Sequence, residues 1–84
     1  IMDKLRNKID ILDNKLLEIL AERMKVVVEI GKYKKVRELP PLDKKRWNEV
    51  LRIRIEKAKA LKLSEKLVRE IYELIHKHSL ELQK

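Results

Sequence analysis

The first 39 residues carry an apolar stripe with the period of a helix. From the N-terminus, apolar residues recur at steps of three and four: Met2, Leu5, Ile9, Leu12, Leu16, Ile19, Val26, Ile30 and Tyr33. This spacing is typical of a helix that packs one face against other helices. No proline occurs before Pro40, and the single glycine, Gly31, costs a helix only about 1 kcal/mol relative to alanine. The pattern predicts a first helix over about residues 2–38.

Two shorter helices follow the prolines. Because proline cannot continue a helix, Pro40 and Pro41 end the first one. Asp43 is the expected N-cap of a second helix over about 43–61, and Ser64 that of a third over about 64–83. The expected apolar sides are Trp47, Val50, Leu51, Ile55, Ala58 and Leu61 in the second helix, and Leu67, Val68, Ile71, Tyr72, Leu74, Ile75 and Leu82 in the third. No strand pattern is present, so we predict one all-α domain, residues 1–84, with one long and two shorter helices.

The length of the first helix predicts a partner. At 1.5 Å per residue, 36 residues span about 54 Å, whereas a compact chain of this size has a radius of gyration near 12 Å. One chain cannot cover such a rod. Part of the apolar stripe must be buried by another protomer, so we expect an intertwined helical homodimer.

Composition narrows the classes of function. There is no cysteine, which excludes a disulfide framework, a thiolate nucleophile and a zinc–thiolate site. Neither a signal peptide nor a run of about 18 apolar residues is present, so a cytoplasmic protein without membrane contact is expected. The net charge of +8 favours either a nucleic-acid surface or attraction of small anionic substrates. Because 43% of residues are charged and both signs are interspersed, most lysines are expected to be solvated.

Polar residues interrupt the apolar faces of the first and third helices. Arg23 and Lys34 lie eleven residues apart, on one line and about 16 Å apart along the axis. In the third helix the apolar face becomes polar at Ser79 and Gln83, which could meet Arg23 or Lys34 across a bundle. An inward charge is costly unless it is paired, so these positions indicate a site for a compact polyanion. A lysine near a helix end, a snorkelling arginine and a frayed terminus are the structural alternatives.

Other chemistry is poorly supported. His76 and His78 face different directions on one helix and cannot chelate a metal together, so we expect them to be solvated or partly packed. No Ser/His/Asp arrangement, glycine-rich phosphate loop or carboxylate pair in an apolar site is present. We therefore expect neither a metal nor a cofactor.

Five short motifs together resemble one family. They are Arg6-Asn7-Lys8-Ile9-Asp10 followed by Leu12-Asp13; Leu20-Ala21-Glu22-Arg23; Glu29-Ile30-Gly31-Lys32-Tyr33-Lys34; Asp43-x-x-Arg46; and Ser79-x-x-x-Gln83. In this order and spacing they closely resemble the all-helical class of chorismate mutases, over nearly the whole chain. The resemblance implies an intertwined dimer and an isomerase that performs the Claisen rearrangement of chorismate to prephenate, on the route to phenylalanine and tyrosine. That pericyclic reaction uses no cofactor, base or nucleophile.

The resemblance also implies a set of site residues. One site would be lined by Arg23, Lys34, Asp43, Arg46, Ser79 and Gln83, with Arg6 supplied by the other protomer. Arg6 and Arg23 would bind the two substrate carboxylates, with Ser79 assisting. Lys34 and Gln83 would stabilise charge on the ether oxygen. Arg6 precedes Arg23 by seventeen positions, about 25 Å of helix, so one straight helix cannot bring both to one ligand.

One position departs from the family pattern. After the arginine of Asp-x-x-Arg, many relatives carry a glutamate that helps bind the ring hydroxyl, and here the residue is Trp47. An indole only donates, and Glu49 points about 200° away from Trp47. The hydroxyl would then be bound by Asp43 or by backbone, or Trp47 is simply a core residue.

Three other functions remain open. An isochorismate-pyruvate lyase has a similar site, and a regulatory mutase-like domain could depend on another shikimate-pathway enzyme. A basic helical module could bind nucleic acid through its exposed lysines. Few exposed aromatics are available for base stacking, and cations on a packed face would serve nucleic acid poorly, so we do not expect a nucleic-acid partner.

Overall fold

The computed structural model describes all 84 residues, Ile1–Lys84, and contains three α-helices and no strand. The helices are α1 (Met2–Val36), α2 (Lys44–Ala60) and α3 (Glu65–Leu82). The predicted all-α class, with one long and two shorter helices, is confirmed. Each helix begins and ends within two residues of the predicted position.

Side chains cap the N-termini of α2 and α3 as the sequence predicts. The Asp43 carboxylate accepts a hydrogen bond from the Arg46 backbone N–H at 3.0 Å. The Ser64 hydroxyl accepts one from the Leu67 N–H at 3.2 Å. Each bond satisfies an amide that has no partner within its own helix, which is why these two residues set where the helices begin.

α1 ends before its prolines require it to. Glu38 adopts a left-handed φ of 56°, and the Leu39 N–H donates back to the Lys34 carbonyl at 2.8 Å. This is the bond pattern of a Schellman motif, which satisfies the last free carbonyls of the helix. The chain therefore turns at Glu38, and Pro40 and Pro41 lie in the loop that leads to α2.

α3 packs against both other helices and carries the centre of a small core. The buried apolar side chains are Val27 of α1, Val50 and Ala58 of α2, and Val68 of α3. Within one chain α3 has neighbours only on the side that faces α1 and α2. The expectation that Leu67, Ile71, Leu74 and Leu82 pack inward is therefore wrong for the single chain, where all four are exposed.

The N-terminal half of α1 has no cover within the chain. All of residues 1–19 are exposed, including apolar stripe residues from Met2 to Ile19 whose side chains are 49–63% accessible. The chain measures 55 × 24 × 15 Å, and its radius of gyration of 15.7 Å exceeds the value of about 12 Å for a compact chain of this length. An apolar face of this extent is typical of an interaction surface. None of the three helices combines the length and apolar character needed to cross a membrane.

Candidate active site

A cavity of about 250 Å³ lies among the three helices, at the C-terminal ends of α1 and α3. Fifteen residues line it, drawn from α1, the loop before α2, α2 and α3. They include six of the seven residues that the sequence indicates for a site: Arg23, Lys34, Asp43, Arg46, Ser79 and Gln83. The structure therefore brings these six side chains to one place.

Arg23 reaches across to the third helix. Its Nη1 donates a hydrogen bond to the Ser79 hydroxyl at 3.3 Å, and the Ser79 side chain is buried. Arg23 itself is half-buried and has no carboxylate partner within the chain. A guanidinium that is partly desolvated and unpaired can bind an anion that enters from solvent.

Lys34 is held by two acceptors. Its Nζ donates to the Gln83 Oε1 atom at 2.8 Å and to the backbone carbonyl of Pro41. An ammonium group carries three donors, so one remains available to the cavity. Because lysine can only donate, the Gln83 atom facing it must be the carbonyl oxygen, and the amide NH₂ of Gln83 is also free to donate to a ligand.

Gly31 makes this contact between α1 and α3 possible. It lies one turn before Lys34 and is buried against the last turn of α3. A Cβ atom on Gly31 would meet the Cα atom of Gln83 at 2.9 Å, closer than carbon atoms normally approach. The close approach of the two backbones requires glycine here, which explains a glycine inside a 35-residue helix.

The rim of the cavity is formed by the start of α2. Asp43 caps α2 through one carboxylate oxygen, and the Arg46 side chain is exposed and pairs with Glu49 at 3.1 Å. Arg54, about two turns after Arg46 on α2, also lines the cavity. Its guanidinium carbon lies 5.9 Å from the centre of the Tyr72 ring. The sequence reasoning did not single out Arg54. Four cationic side chains and one carboxylate thus surround the cavity, which gives it a net positive field.

Trp47 and His76 form one wall of the cavity. Their rings are stacked, with centroids 3.9 Å apart and planes at 9°, and both side chains are half-buried. Burial, and then the positive charges of Arg23 and Lys34, lower the pKa of His76. The sequence predicted a solvated or partly packed histidine. It could not place His76 in the cavity because its spacing matched no site motif.

Arg6 is not part of this cavity. It lies near the start of α1, is exposed, and precedes Arg23 by about 25 Å of helix. A single chain therefore does not bring Arg6 to the other six residues. No group of three or more His, Cys, Asp or Glu side chains is arranged to hold a metal ion.

The arrangement suits binding of a small anion with several hydrogen-bond acceptors. Arg23 and Lys34 supply charge, and Ser79 and Gln83 hold them in place while keeping donors of their own. The one carboxylate, Asp43, is exposed at the rim and caps a helix. Such a site can select a ligand conformer and stabilise negative charge that develops on it.

Comparison with known proteins agrees with this chemistry. The chain is 39% identical over 71 residues to the bifunctional chorismate mutase/prephenate dehydratase of Escherichia coli K12, and equally to that of Shigella flexneri. These alignments cover 84% of this chain but only 18% of each relative, so the chain spans less than a fifth of the length of the curated relatives that it matches. The model of the chorismate mutase type II family matches residues 5–84. The chain therefore belongs to the chorismate mutase type II family.

Proposed function

We propose that this chain is an isomerase that rearranges chorismate to prephenate in the cavity among its three helices. The observation that carries the proposal is the paired arrangement of Arg23 with Ser79 and of Lys34 with Gln83, on facing helices around one positively charged cavity. The family to which the chain belongs supports it. A role for these side chains in nucleic-acid binding is disfavoured because both cations are half-buried between helices.

The substrate is a dicarboxylate, and the proposal assigns one arginine to each carboxylate. Arg23 has no carboxylate partner of its own, so its guanidinium can form charge-assisted hydrogen bonds to the first, beside the Ser79 hydroxyl. The second carboxylate is assigned to Arg6 of the other protomer. Arg46 and Asp43 would contact the ring side of the substrate from the rim of the cavity. For this contact Arg46 can release its exposed ion pair with Glu49 and bind the ligand instead.

The rearrangement is intramolecular and concerted. The ether C–O bond breaks while a C–C bond forms between the enolpyruvyl group and the ring, and no proton or electron enters or leaves. The protein can select the compact conformer and stabilise negative charge on the ether oxygen as the bond breaks. The free donor of Lys34 and the amide NH₂ of Gln83 are suited to that oxygen, since both are fixed before the substrate binds. A fixed donor of this kind contributes about 10²–10³-fold to a rate.

The proposal includes a homodimer. The uncovered apolar stripe along Met2–Ile19 is the surface that a second copy would bury, and Arg6 lies on the same segment. Sedimentation at micromolar concentration tests this directly: a stable, folded monomer contradicts the dimer. A cytoplasmic location also remains a prediction, which cell fractionation can check.

Mixing two inactive variants tests the shared site. Arg6→Ala and Arg23→Ala should each abolish most activity. When the two are unfolded together and reassembled, the heterodimer has one site that keeps both arginines, and activity should return to up to half that of the wild type per dimer. Verified heterodimers without any recovery would contradict a site built from two protomers.

The reaction itself is tested with two substrates. Loss of chorismate, followed by ultraviolet absorbance, and formation of prephenate are the expected results for the wild-type protein. Isochorismate, assayed in parallel for release of pyruvate, separates the mutase from a lyase with the same fold. Turnover of isochorismate alone, or of neither compound by a folded dimer, overturns the proposal.

A further inference from the structure

His76 is a polar group of the cavity wall that has no partner within the protein. It lies on α3 one turn after Tyr72, and neither of its ring nitrogens forms a hydrogen bond in the chain. No fully buried side-chain nitrogen or oxygen is left without a partner, so these nitrogens are not fully buried, and His76 lines the cavity. A half-buried imidazole in this position is available to a ligand.

Each of the other acceptors near the two central cations already accepts one hydrogen bond. The Ser79 hydroxyl accepts from Arg23, and Gln83 Oε1 accepts from Lys34. Asp43 uses one oxygen for its helix cap, and its second oxygen is at the exposed rim. Trp47 can only donate. Apart from the Tyr72 hydroxyl, one turn away on the side of Arg54, the imidazole is the free acceptor that this wall presents.

The stack with Trp47 sets the plane of the imidazole. With the rings 3.9 Å apart and 9° from parallel, the indole covers one face of the imidazole. The lone pair of an imidazole nitrogen lies in the ring plane, so it is directed away from the indole face rather than into it. The half-buried indole therefore holds the ring without occupying its hydrogen-bonding edge.

The charges around His76 keep its lone pair available. The charged groups that share the cavity with it are Arg23 and Lys34 of α1, Asp43 at the N-cap of α2, and Arg46 and Arg54 of α2. Burial, followed by the charges of Arg23 and Lys34, lowers the pKa of His76, so the ring is neutral at pH 7 and above. A neutral imidazole has one donor and one acceptor nitrogen, whereas an imidazolium has no acceptor.

We propose that His76 is a specificity-determining residue that accepts a hydrogen bond from the ring hydroxyl of the substrate, and that Trp47 is the positioning residue that orients its imidazole. The proposal rests on the proposed function. The carboxylates of chorismate match the cations of the site, while its ring alcohol needs an acceptor, which no cation can supply. The stacked pair would supply that acceptor at the place where α2 presents Trp47, which cannot accept, to the cavity.

A cycle of two proteins and two substrates tests this pairing. The proteins are the wild type and His76→Phe, which keeps a flat ring for the stack and removes both nitrogens. The substrates are chorismate and its analogue with hydrogen in place of the ring hydroxyl, both assayed at pH 8. For the wild type, removing the hydroxyl should lower kcat/KM about fivefold. For His76→Phe, the two substrates should have the same kcat/KM within about twofold.

The same fivefold preference in His76→Phe would overturn the proposal and assign the hydroxyl to another acceptor. If His76→Phe does not give a folded dimer by circular dichroism and sedimentation, His76→Leu is measured in the same way. His78→Phe is the matched control, because it makes the same chemical change at an exposed position of the same helix and should keep the preference. Failure of the wild type to turn over either compound would instead overturn the proposed function, and this inference with it.

Two further measurements separate orientation from bulk structure. Trp47→Phe keeps an aromatic stack and should retain most of the preference for the hydroxyl, whereas Trp47→Ala should lose it. An unchanged preference in a folded Trp47→Ala protein would contradict the positioning role. In the wild type the preference should also decline as the pH is lowered below the ordinary histidine range and His76 gains a proton, and a preference that stays constant down to the lowest pH at which the dimer remains folded would contradict acceptance by the imidazole.

Discussion

Gly31→Ala should damage catalysis more than stability. The added Cβ would lie 2.9 Å from the Gln83 Cα atom, and 3.3 Å and 3.4 Å from its Cγ and Cβ atoms. Carbon atoms in ordinary contact are about 3.5–4.0 Å apart, so α3 must retreat by at least about 0.6 Å at Gln83. The clash is with backbone and cannot be relieved by a rotamer change. The retreat draws the Gln83 amide away from Lys34, to which it now accepts a bond of 2.8 Å.

The opposing energies can be compared. Alanine is favoured over glycine inside a helix by about 1 kcal/mol, while overpacking typically costs about 1–3 kcal/mol. The net loss of stability should lie between zero and about 2 kcal/mol. Gln83 is the C-cap of α3, where movement disturbs few helical hydrogen bonds, so the smaller values are expected. A displacement approaching 1 Å in a catalytic group can cost up to about 100-fold in rate.

Chorismate turnover and thermal unfolding, measured on the same preparation, test this comparison. The expected result for Gly31→Ala is a kcat lowered about 10- to 100-fold, with Tm lowered by no more than about 10 °C. Lys32→Ala is the control, since it adds an alanine at the next, exposed position of α1. A Gly31→Ala protein with kcat within twofold of the wild type would refute the argument from close approach.

Further predictions concern the cavity and its caps. Lys34→Ala should lower kcat about 10²–10³-fold while the protein stays folded, and near-normal turnover would remove Lys34 from the mechanism. Asp43→Ala and Ser64→Ala each remove an N-cap and should each cost about 1 kcal/mol of unfolding free energy in denaturant titrations, but only Asp43→Ala should also alter kcat/KM, because Ser64 is remote from the cavity. Trp47→Glu should change KM or kcat, and unchanged values would show that the position does not touch substrate. Because the folded-state pKa of His76 lies below its unfolded value, its contribution to stability is present above about pH 6.5 and is lost as pH falls; urea titrations of His76→Phe should show a weaker acid dependence than the wild type.

Most of the fold follows from local patterns in the sequence. The 3.6-residue period locates the helices. Asp43 and Ser64 are polar residues that precede apolar runs, and both cap the N-terminus of the helix that follows, as this pattern predicts. The end of α1 was less predictable. The turn at Glu38 places a non-glycine residue in the left-handed region, and a motif closed by backbone bonds leaves little mark on side-chain composition.

The cavity was predictable where residues broke a pattern. Arg23, Lys34, Ser79 and Gln83 stand out because each is polar on an otherwise apolar face, and the structure places them around one cavity in two hydrogen-bonded pairs. Their roles in a reaction remain predictions. His76 broke no pattern of its own helix, since a histidine is ordinary at a half-buried position. Only the packing of α2 against α3 in the structure shows that the His76 ring stacks on Trp47.

The hydrogen bond from Lys34 to the Pro41 carbonyl has a consequence for the entropy of the reaction. A free lysine side chain samples many rotamers, and fixing it costs about 1.5–2 kcal/mol. Here that freedom is already lost in the folded protein, because the loop that follows α1 provides an acceptor and Gln83 provides another. The entropy of ordering the Lys34 side chain is therefore lost once, when the protein folds, and is not lost again at each turnover. A chain with so small a core thus uses part of its conformational stability to keep one ammonium group still.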